Sequence, residues 1–223
     1  MSFLSGRTSL TTVNTSDISD DAITLAKMAA GTANYNILYD GSGNPTEAVA
    51  SSGGGTVLIS SISASNAASV DFDSALSSTY TGYLLVGVGI TPATTDTQLY
   101  LRVSSDGGSN WDDGASDYSW VGAGTEPGGG TSVARYDFAD THFALSGAPG
   151  SASGMWNDAV SNTSFSCIIS HPSDTTLYTS FNATCSIHGW SNENGSKIAS
   201  GVRLAAAAMN SVQVLAESGN ITG

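Results

Sequence analysis

The stretch "TQLYLRV", residues 97–103, alternates apolar and polar side chains. In an extended chain Tyr100 and Arg102 lie on one side, because successive side chains of a strand point to opposite faces. The aliphatic side chains share the other side: Leu99, Leu101 and Val103. A period of two is typical of a β-strand with one face on a hydrophobic core. We therefore predict a strand here, with its aliphatic face buried.

Similar short runs recur along the chain between clusters of Gly, Ser, Asn and Asp. "SVDFD" places Val70 and Phe72 inward, and "GYLLVGVGI" is a more continuously apolar strand. Further strands are predicted around 117–121, 133–138, 164–170, 177–188, 198–208 and 211–216. Because no helices alternate with these runs, they favour antiparallel pairing. The predicted fold is mainly β, with residues 53–223 forming an antiparallel jelly-roll-like β-sandwich.

The region before the sandwich contains one short predicted helix. Ser19 is a natural N-cap, Asp20 and Asp21 favour the positive end of the helix dipole, and Gly31 can take the left-handed position after the last turn. Its apolar surface includes Ile18 before the cap and then Ile23, Leu25 and Met28. A helix of this length is marginal in water, so these side chains are predicted to contact a partner.

The segment after the helix is predicted to contain a strand at 35–39 and a turn at "DGSGNP". "SSGGG", residues 51–55, has the composition of a flexible joint. We therefore divide the chain into an N-terminal segment, residues 1–52, and the sandwich, residues 53–223.

Composition limits the partners. The 223 residues carry six basic and nineteen acidic side chains, a formal charge of −13, which repels nucleic acid and anionic lipid. The first ten residues have no apolar core of a secretory signal, and no run is long enough to cross a bilayer. We predict no nucleic-acid partner and no membrane insertion, and expect the chain to be made in a cytoplasm.

Cysteine and histidine are the first candidates for chemistry. Cys167, His171, Cys185 and His188 have spacings that could bind zinc, but His188 is predicted to point away from Cys185 on its strand. We expect both cysteines to be reduced and buried in the sandwich, although one disulfide stays open as an alternative. No metal or cofactor is predicted.

The loop "SSDGGSNWDDGASD" is the second candidate. It collects Asp106, Asp112, Asp113 and Asp117, which could supply oxygen ligands to calcium, although their spacing does not match an EF-hand. The favoured interpretation is a solvated hairpin loop that is held by Asx turns. Trp111 beside these carboxylates could stack on a sugar or fold back over the end of the sandwich.

No catalytic constellation is recognised. "GAGTEPGGGT" lacks the Lys and Ser/Thr of a phosphate-binding loop, and "GSASG" has Ala152 where a nucleophile elbow needs serine. We predict no catalytic residues.

Residues 2–49, "SFLSGRTSLTTVNTSDISDDAITLAKMAAGTANYNILYDGSGNPTEAV", resemble an N-terminal segment shared by many tailed-bacteriophage virion proteins, in which "DAVTLAKLAAGTDGNLI.YD.SGNP.AV" precedes diverse distal domains. "QLYLRVSSDGGSNWDDGASDYSWV" and "MNSVQVLAESGNITG" resemble jelly-roll modules of phage appendages. In those modules one more strand follows the segment like "SGNITG", so either a further strand follows Gly223 or this sandwich closes differently.

The resemblance implies a structural virion protein, made in the host cytoplasm. Such appendages are commonly homotrimers attached to phage head or tail proteins, which would cover Ile18, Ile23, Leu25 and Met28. We expect a fibre or spike that displays the sandwich to the host surface, with Trp111, Asp112 and Asp113 as possible contacts to a glycan receptor. A capsid decoration protein without host contact is the first alternative, and a carbohydrate-active jelly-roll enzyme is the second.

Overall fold

The structure is a computed structural model. It describes residues 35–39, 45–49, 56–125, 132–146, 154–158, 160, 162–188 and 194–222. The predicted helix with Ile18, Ile23, Leu25 and Met28 lies outside the described residues, as do the turn at 40–44 and the joint at 51–55. Those expectations stay predictions.

The chain divides into two compact units, Met1–Val57 and Leu58–Gly223. In the first unit, β1 (Tyr35–Tyr39) pairs antiparallel with β2 (Pro45–Val49). The sequence predicted β1 and missed β2. Proline has no backbone N–H to donate, so Pro45 in the sequence indicates the end of a structured segment. Proline is nevertheless tolerated at the first residue of a strand, which is its position in β2.

In the described part of the second unit, eleven antiparallel strands form two sheets. In chain order they are β3 (Ser69–Phe72), β4 (Gly82–Pro92), β5 (Leu99–Ser104), β6 (Tyr118–Thr125), β7 (Ser132–Asp140), β8 (Phe143–Ala144), β9 (Thr163–Ser170), β10 (Ser180–His188), β11 (Asn194–Arg203), β12 (Ser211–Ala216) and β13 (Ile221–Thr222). The larger sheet has the order β13-β4-β9-β10-β11-β6-β7, and the smaller β3-β12-β5-β8. The predicted mainly-β, antiparallel sandwich is confirmed.

The core lies between the two sheets and follows the predicted alternation. Leu99, Leu101 and Val103 of β5 are completely buried, and Val70 and Phe72 of β3 pack against the same cluster. From the larger sheet the core receives large aromatic side chains, including Tyr118, Trp120 and Phe181.

Two aromatic polar groups are satisfied inside this core. The backbone N–H of Val103 donates to the hydroxyl of Tyr118 at 2.9 Å, which joins β5 of the smaller sheet to β6 of the larger one. The indole Nε1 of Trp120 donates to Oδ2 of Asp140 at 2.8 Å. Buried hydroxyl and indole groups need such partners. The Val103–Tyr118 bond restricts how the two sheets can slide over each other, whereas the Trp120–Asp140 bond joins β6 to β7 within the larger sheet.

Two predicted strands have different limits in the structure. β10 begins at Ser180 rather than at 177, because Asp174 accepts hydrogen bonds from the N–H groups of Thr176 and Leu177 and holds them in a turn. β11 spans Asn194–Arg203 rather than 198–208, and the N–H of Leu204 turns away to donate to the carbonyl of Asp117. A side chain thus competes for backbone groups before β10, and a backbone carbonyl outside the ladder does so after β11.

Gly201 is a close-approach position between the sheets. A Cβ at this residue would lie 2.6 Å from the carbonyl oxygen of Ser119 and 2.9 Å from Cδ2 of Phe143. We predict that Gly201→Ala lowers the free energy of unfolding by about 1–3 kcal/mol, as overpacked core substitutions do. Urea unfolding followed by circular dichroism measures this change.

Gly82→Ala is the matched control, since a Cβ there has its nearest neighbour at 3.8 Å. It should be neutral or slightly stabilising, because glycine weakens a strand. Equal losses in the two variants would contradict the close approach at Gly201.

Candidate functional site

The loop at 106–117 is held by its own polar groups. Asp106 accepts hydrogen bonds from Ser104 Oγ at 2.7 Å and from the backbone N–H and Nδ2 of Asn110 at 2.9 Å and 2.6 Å. These bonds lower the pKa of Asp106 to about 2, with the side chain of Asn110 as the largest cause. Gly107 and Gly108 have positive φ, 80° and 87°, which glycine adopts without strain. Asp106 thus holds the turn, as expected of an Asx loop.

Asp112 points inward rather than to solvent. Its Oδ2 lies 2.6 Å from Nε of Arg203, and its backbone N–H donates to the carbonyl of Val103 at 2.9 Å. Burial raises the pKa of this carboxyl, and Arg203 opposes that change. Asp112 therefore ties the loop to the end of β11.

The other predicted receptor contacts are more accessible. Asp113 is exposed and lies 3.9 Å from Arg102, a distance typical of a weak surface pair. Trp111 is half-buried, and its Cζ2 lies 3.2 Å from where a Cβ on Gly108 would stand. The loop can thus offer part of one indole and one carboxylate to a partner. Whether it contacts a receptor stays a prediction.

Among the described residues, no three His, Cys, Asp or Glu side chains come together as a set that could hold a metal ion. In the loop, Asp117 accepts from the N–H of Gly114 at 2.7 Å, while Asp106 and Asp112 have the separate partners given above. The loop carboxylates are therefore used one by one and do not converge on a common point.

The two cysteines are reduced and buried. Cys167 on β9 and Cys185 on β10 face the core, and burial raises the pKa of each thiol to about 12. A thiol with so little thiolate reacts slowly. His171 is exposed in the turn after β9, and His188 lies at the end of β10 on the face opposite to Cys185. Both cysteines therefore pack as small apolar side chains.

The outward side of the larger sheet is the most unusual surface of the sandwich. Eight large apolar side chains on this side are between 52% and 77% exposed: Leu84, Val86, Val88, Val121, Tyr136, Phe138, Ile168 and Ile198. Among the described outward positions of β4, β9, β10, β11, β6 and β7 there is no Asp, Glu, Lys or Arg. We call these outward positions the uncharged face.

Strand register makes the uncharged face continuous. One row of directly paired residues crosses the sheet: Leu84, Ile168, Asn182, Ser200, Val121 and Tyr136. The adjacent row contains Val86, Ser166, Thr184, Ile198, Ala123 and Ala134. Cross-strand neighbours on one face are close enough to touch, so these rows form one surface.

The uncharged face has a shallow groove and a projecting edge. Small residues such as Gly122, Ala123 and Ser166 leave a shallow groove of about 450 Å³ that also borders Ile168 and Ile198. At one edge of the sheet, the rings of Tyr136 and Phe138 stack at 4.8 Å on β7. In the middle of the face, Ser200 Oγ donates to Asn182 Oδ1 at 2.9 Å, so these two polar side chains are hydrogen-bonded to each other.

Sequence analysis did not identify this surface. Its signal was "GYLLVGVGI", in which both alternating sets of positions are apolar, a pattern typical of strands buried on both faces. The residues on β6, β9 and β11 join it only through strand pairing, which the sequence does not display.

A second polar cluster surrounds His142 beside β5. The His142 ring stacks on Tyr100 with centroids 3.5 Å apart, and its Nδ1 lies 3.1 Å from Oδ1 of Asp140 and 3.0 Å from Oγ1 of Thr141. Nε2 is buried and has no hydrogen-bond partner in the described part of the chain. Burial, with a smaller effect from Arg102, lowers the pKa of His142 to about 4, while Asp140 and Asp137 act in the opposite direction.

Comparison with family models, with curated proteins and with solved structures finds no match to this chain. In the described residues no helix is long and apolar enough to span a bilayer. What the site defines is thus a class of surface, an apolar and uncharged sheet face on an antiparallel β-sandwich.

The lowered pKa of His142 predicts acid sensitivity. Between pH 6.5 and 4 the unfolded chain binds a proton on this imidazole and the folded chain does not, so stability rises with pH across that window and is lost as pH falls. We expect His142→Asn, which keeps an amide N–H near the position of Nδ1, to remove a pH-dependent loss on the order of 2 kcal/mol. Urea midpoints at pH 7.5 and 4.5 measure the difference.

His171→Asn is the control, because this exposed turn residue has φ of 55°, which asparagine tolerates. It should keep the acid sensitivity of the parent chain. An unchanged pH dependence in His142→Asn would contradict the assignment to His142.

Proposed function

We propose that this protein is a structural component of a tailed-bacteriophage particle. In this proposal residues 1–52 attach the protein to head or tail proteins, and the sandwich is displayed outward as a homotrimeric fibre or spike that contacts the host surface. The resemblance of residues 2–49 to the shared N-terminal segment of phage virion proteins is the basis for the assignment to a particle.

The observation that carries the proposal is the separation of the chain into two units at Val57. The sandwich buries its core with residues from within Leu58–Gly223, from Leu76 to Ile221. A domain with its own core does not depend on a preceding segment for its fold, so the two units can have different tasks. Anchoring by the first unit and display by the second fit this arrangement.

The polar groups of the sandwich support a structural rather than a chemical task. Asp106 holds a turn, Asp112 and Arg203 fasten the loop to β11, and Asp140 holds Trp120. Each is engaged with the protein itself, whereas the uncharged face is the large surface left for another molecule. A protein that presents such a face is suited to assembly.

A capsid decoration protein is the second candidate, favoured by the same face, because a broad uncharged sheet could lie on a shell. Images of intact particles labelled at the C-terminus would separate the two. Discrete projections with one trimer at each site support a fibre or spike, and sandwiches spread along the shell support decoration.

Removing residues 1–52 tests the division of tasks. We predict that the shortened chain keeps its strand content and a cooperative thermal transition, because the core of the sandwich lies after Val57. It should be lost from particles when it is supplied as the sole copy during phage growth. Normal incorporation of the shortened chain would contradict an N-terminal anchor.

Trp111→Ala is the complementary variant at the displayed end. The indole is half-buried, so its truncation should cost less than the roughly 3 kcal/mol of a fully buried tryptophan and should leave incorporation normal. Adsorption to host cells should slow, because the accessible part of the indole provides stacking area for a sugar. Particles with normal copy number and normal adsorption would exclude this loop from receptor contact.

A further inference from the structure

We infer that the uncharged face is the surface on which copies of this chain dock, with the stacked pair Tyr136 and Phe138 of one copy against the groove beside Ile168 and Ile198 of the next. The inference deepens the proposed function and rests on the self-assembly contained in it. What it adds is the location of the contact and the two different features that meet there.

The apolar area of the face is large for a single chain. Its eight large apolar side chains are each more than half exposed, which amounts to on the order of 800 Å². The largest apolar patch on a typical monomer is ~300–600 Å², whereas each partner of a standard interface contributes ~800 Å². The face thus exposes more apolar area than the largest patch of a typical monomer, and a ring divides this area between two contacts.

Charge favours a second copy over a foreign partner. Two chains with a formal charge of −13 repel each other, and an approach is least unfavourable where neither surface carries carboxylates. The described outward positions of the six long strands provide that surface. A basic partner would instead be selected by acidic groups on the face, which it does not have.

The face provides the two different patches that a ring needs. A trimer requires a heterologous contact, in which one patch of each copy meets a different patch of the next. Tyr136 and Phe138 protrude from the edge strand β7 and are both 67% exposed, while the groove lies toward the middle of the same face. A projecting aromatic pair and a shallow apolar groove are such a pair of patches.

Two full-length variants test the contact. The groove variant is Ile168→Lys with Ile198→Lys, and the edge variant is Tyr136→Lys with Phe138→Lys. Lysine is chosen because it reduces the net negative charge, so a loss of assembly cannot come from greater overall repulsion. The control is Leu177→Lys with Tyr178→Lys, since these residues are also 50% exposed but lie in the turn before β10.

Sedimentation over the micromolar range should show trimers for the parent chain and the control. Each face variant should associate roughly 100-fold or more weakly, because a buried lysine without a partner opposes docking. A face variant whose thermal midpoint equals that of the control is folded. If the lysine variants unfold, Ile168→Thr with Ile198→Thr keeps β-branched side chains and should still weaken association.

Mixing the groove and edge variants provides a sharper test. Each then carries the feature that the other lacks, so one intact contact forms and the mixture should yield a 1:1 dimer and no trimer. A contact of edge with edge or of groove with groove would give no such dimer and would overturn the pairing of edge with groove.

The inference and the proposed function can fail separately. Trimers that persist in both face variants would overturn the inference and leave assembly to the N-terminal segment. A parent chain that stays monomeric would overturn it too, whether the face is then bare or covered by residues 1–55. Trimers that dissociate as expected but never enter particles would leave the inference standing and contradict the phage assignment.

Discussion

The larger sheet has two apolar faces, and the smaller sheet covers one of them. On the inward side, Cys167, Phe181 and Ile169 pack into the core opposite Leu99 and Leu101 of the smaller sheet. On the other side, eight large apolar side chains are between 52% and 77% exposed. Burial of apolar area is the main stabilising term in folding and association, so the inward face accounts for the sandwich, and the outward face is the surface that we propose for assembly.

Polar interactions hold the loop and the residues beside β5 in place, whereas apolar burial drives the formation of the sandwich. Asp106 and the Asp112–Arg203 pair hold the long loop against β5 and β11, so its exposed residues are presented on a fixed support. His142 and Tyr100 are packed tightly enough that protonation is disfavoured. Such fastening is favourable for the host contact that we propose, because a rigid loop loses less entropy when it binds.

Much of the fold could be read from the sequence, because period-two alternation reports burial directly. β5 and β3 were predicted with their buried faces, β12 as a strand, and β1 with its limits. The two-residue strands β8 and β13 are too short for any period, and β2 begins with a proline. The uncharged face could not be predicted, because Val121, Ile168 and Ile198 come together only through the register of four strands.

A single accessible thiol on the uncharged face tests the central claim most directly. Because both native cysteines are buried, Ile198→Cys would provide the fast-reacting thiol. Its labelling rate should fall roughly tenfold or more as protein concentration rises through the range of assembly, since docked copies exclude the reagent. Leu177→Cys, equally accessible but off the face, should react at one rate throughout. Equal rates for the two thiols at every concentration would contradict a face that is exposed in one chain and covered in the assembly.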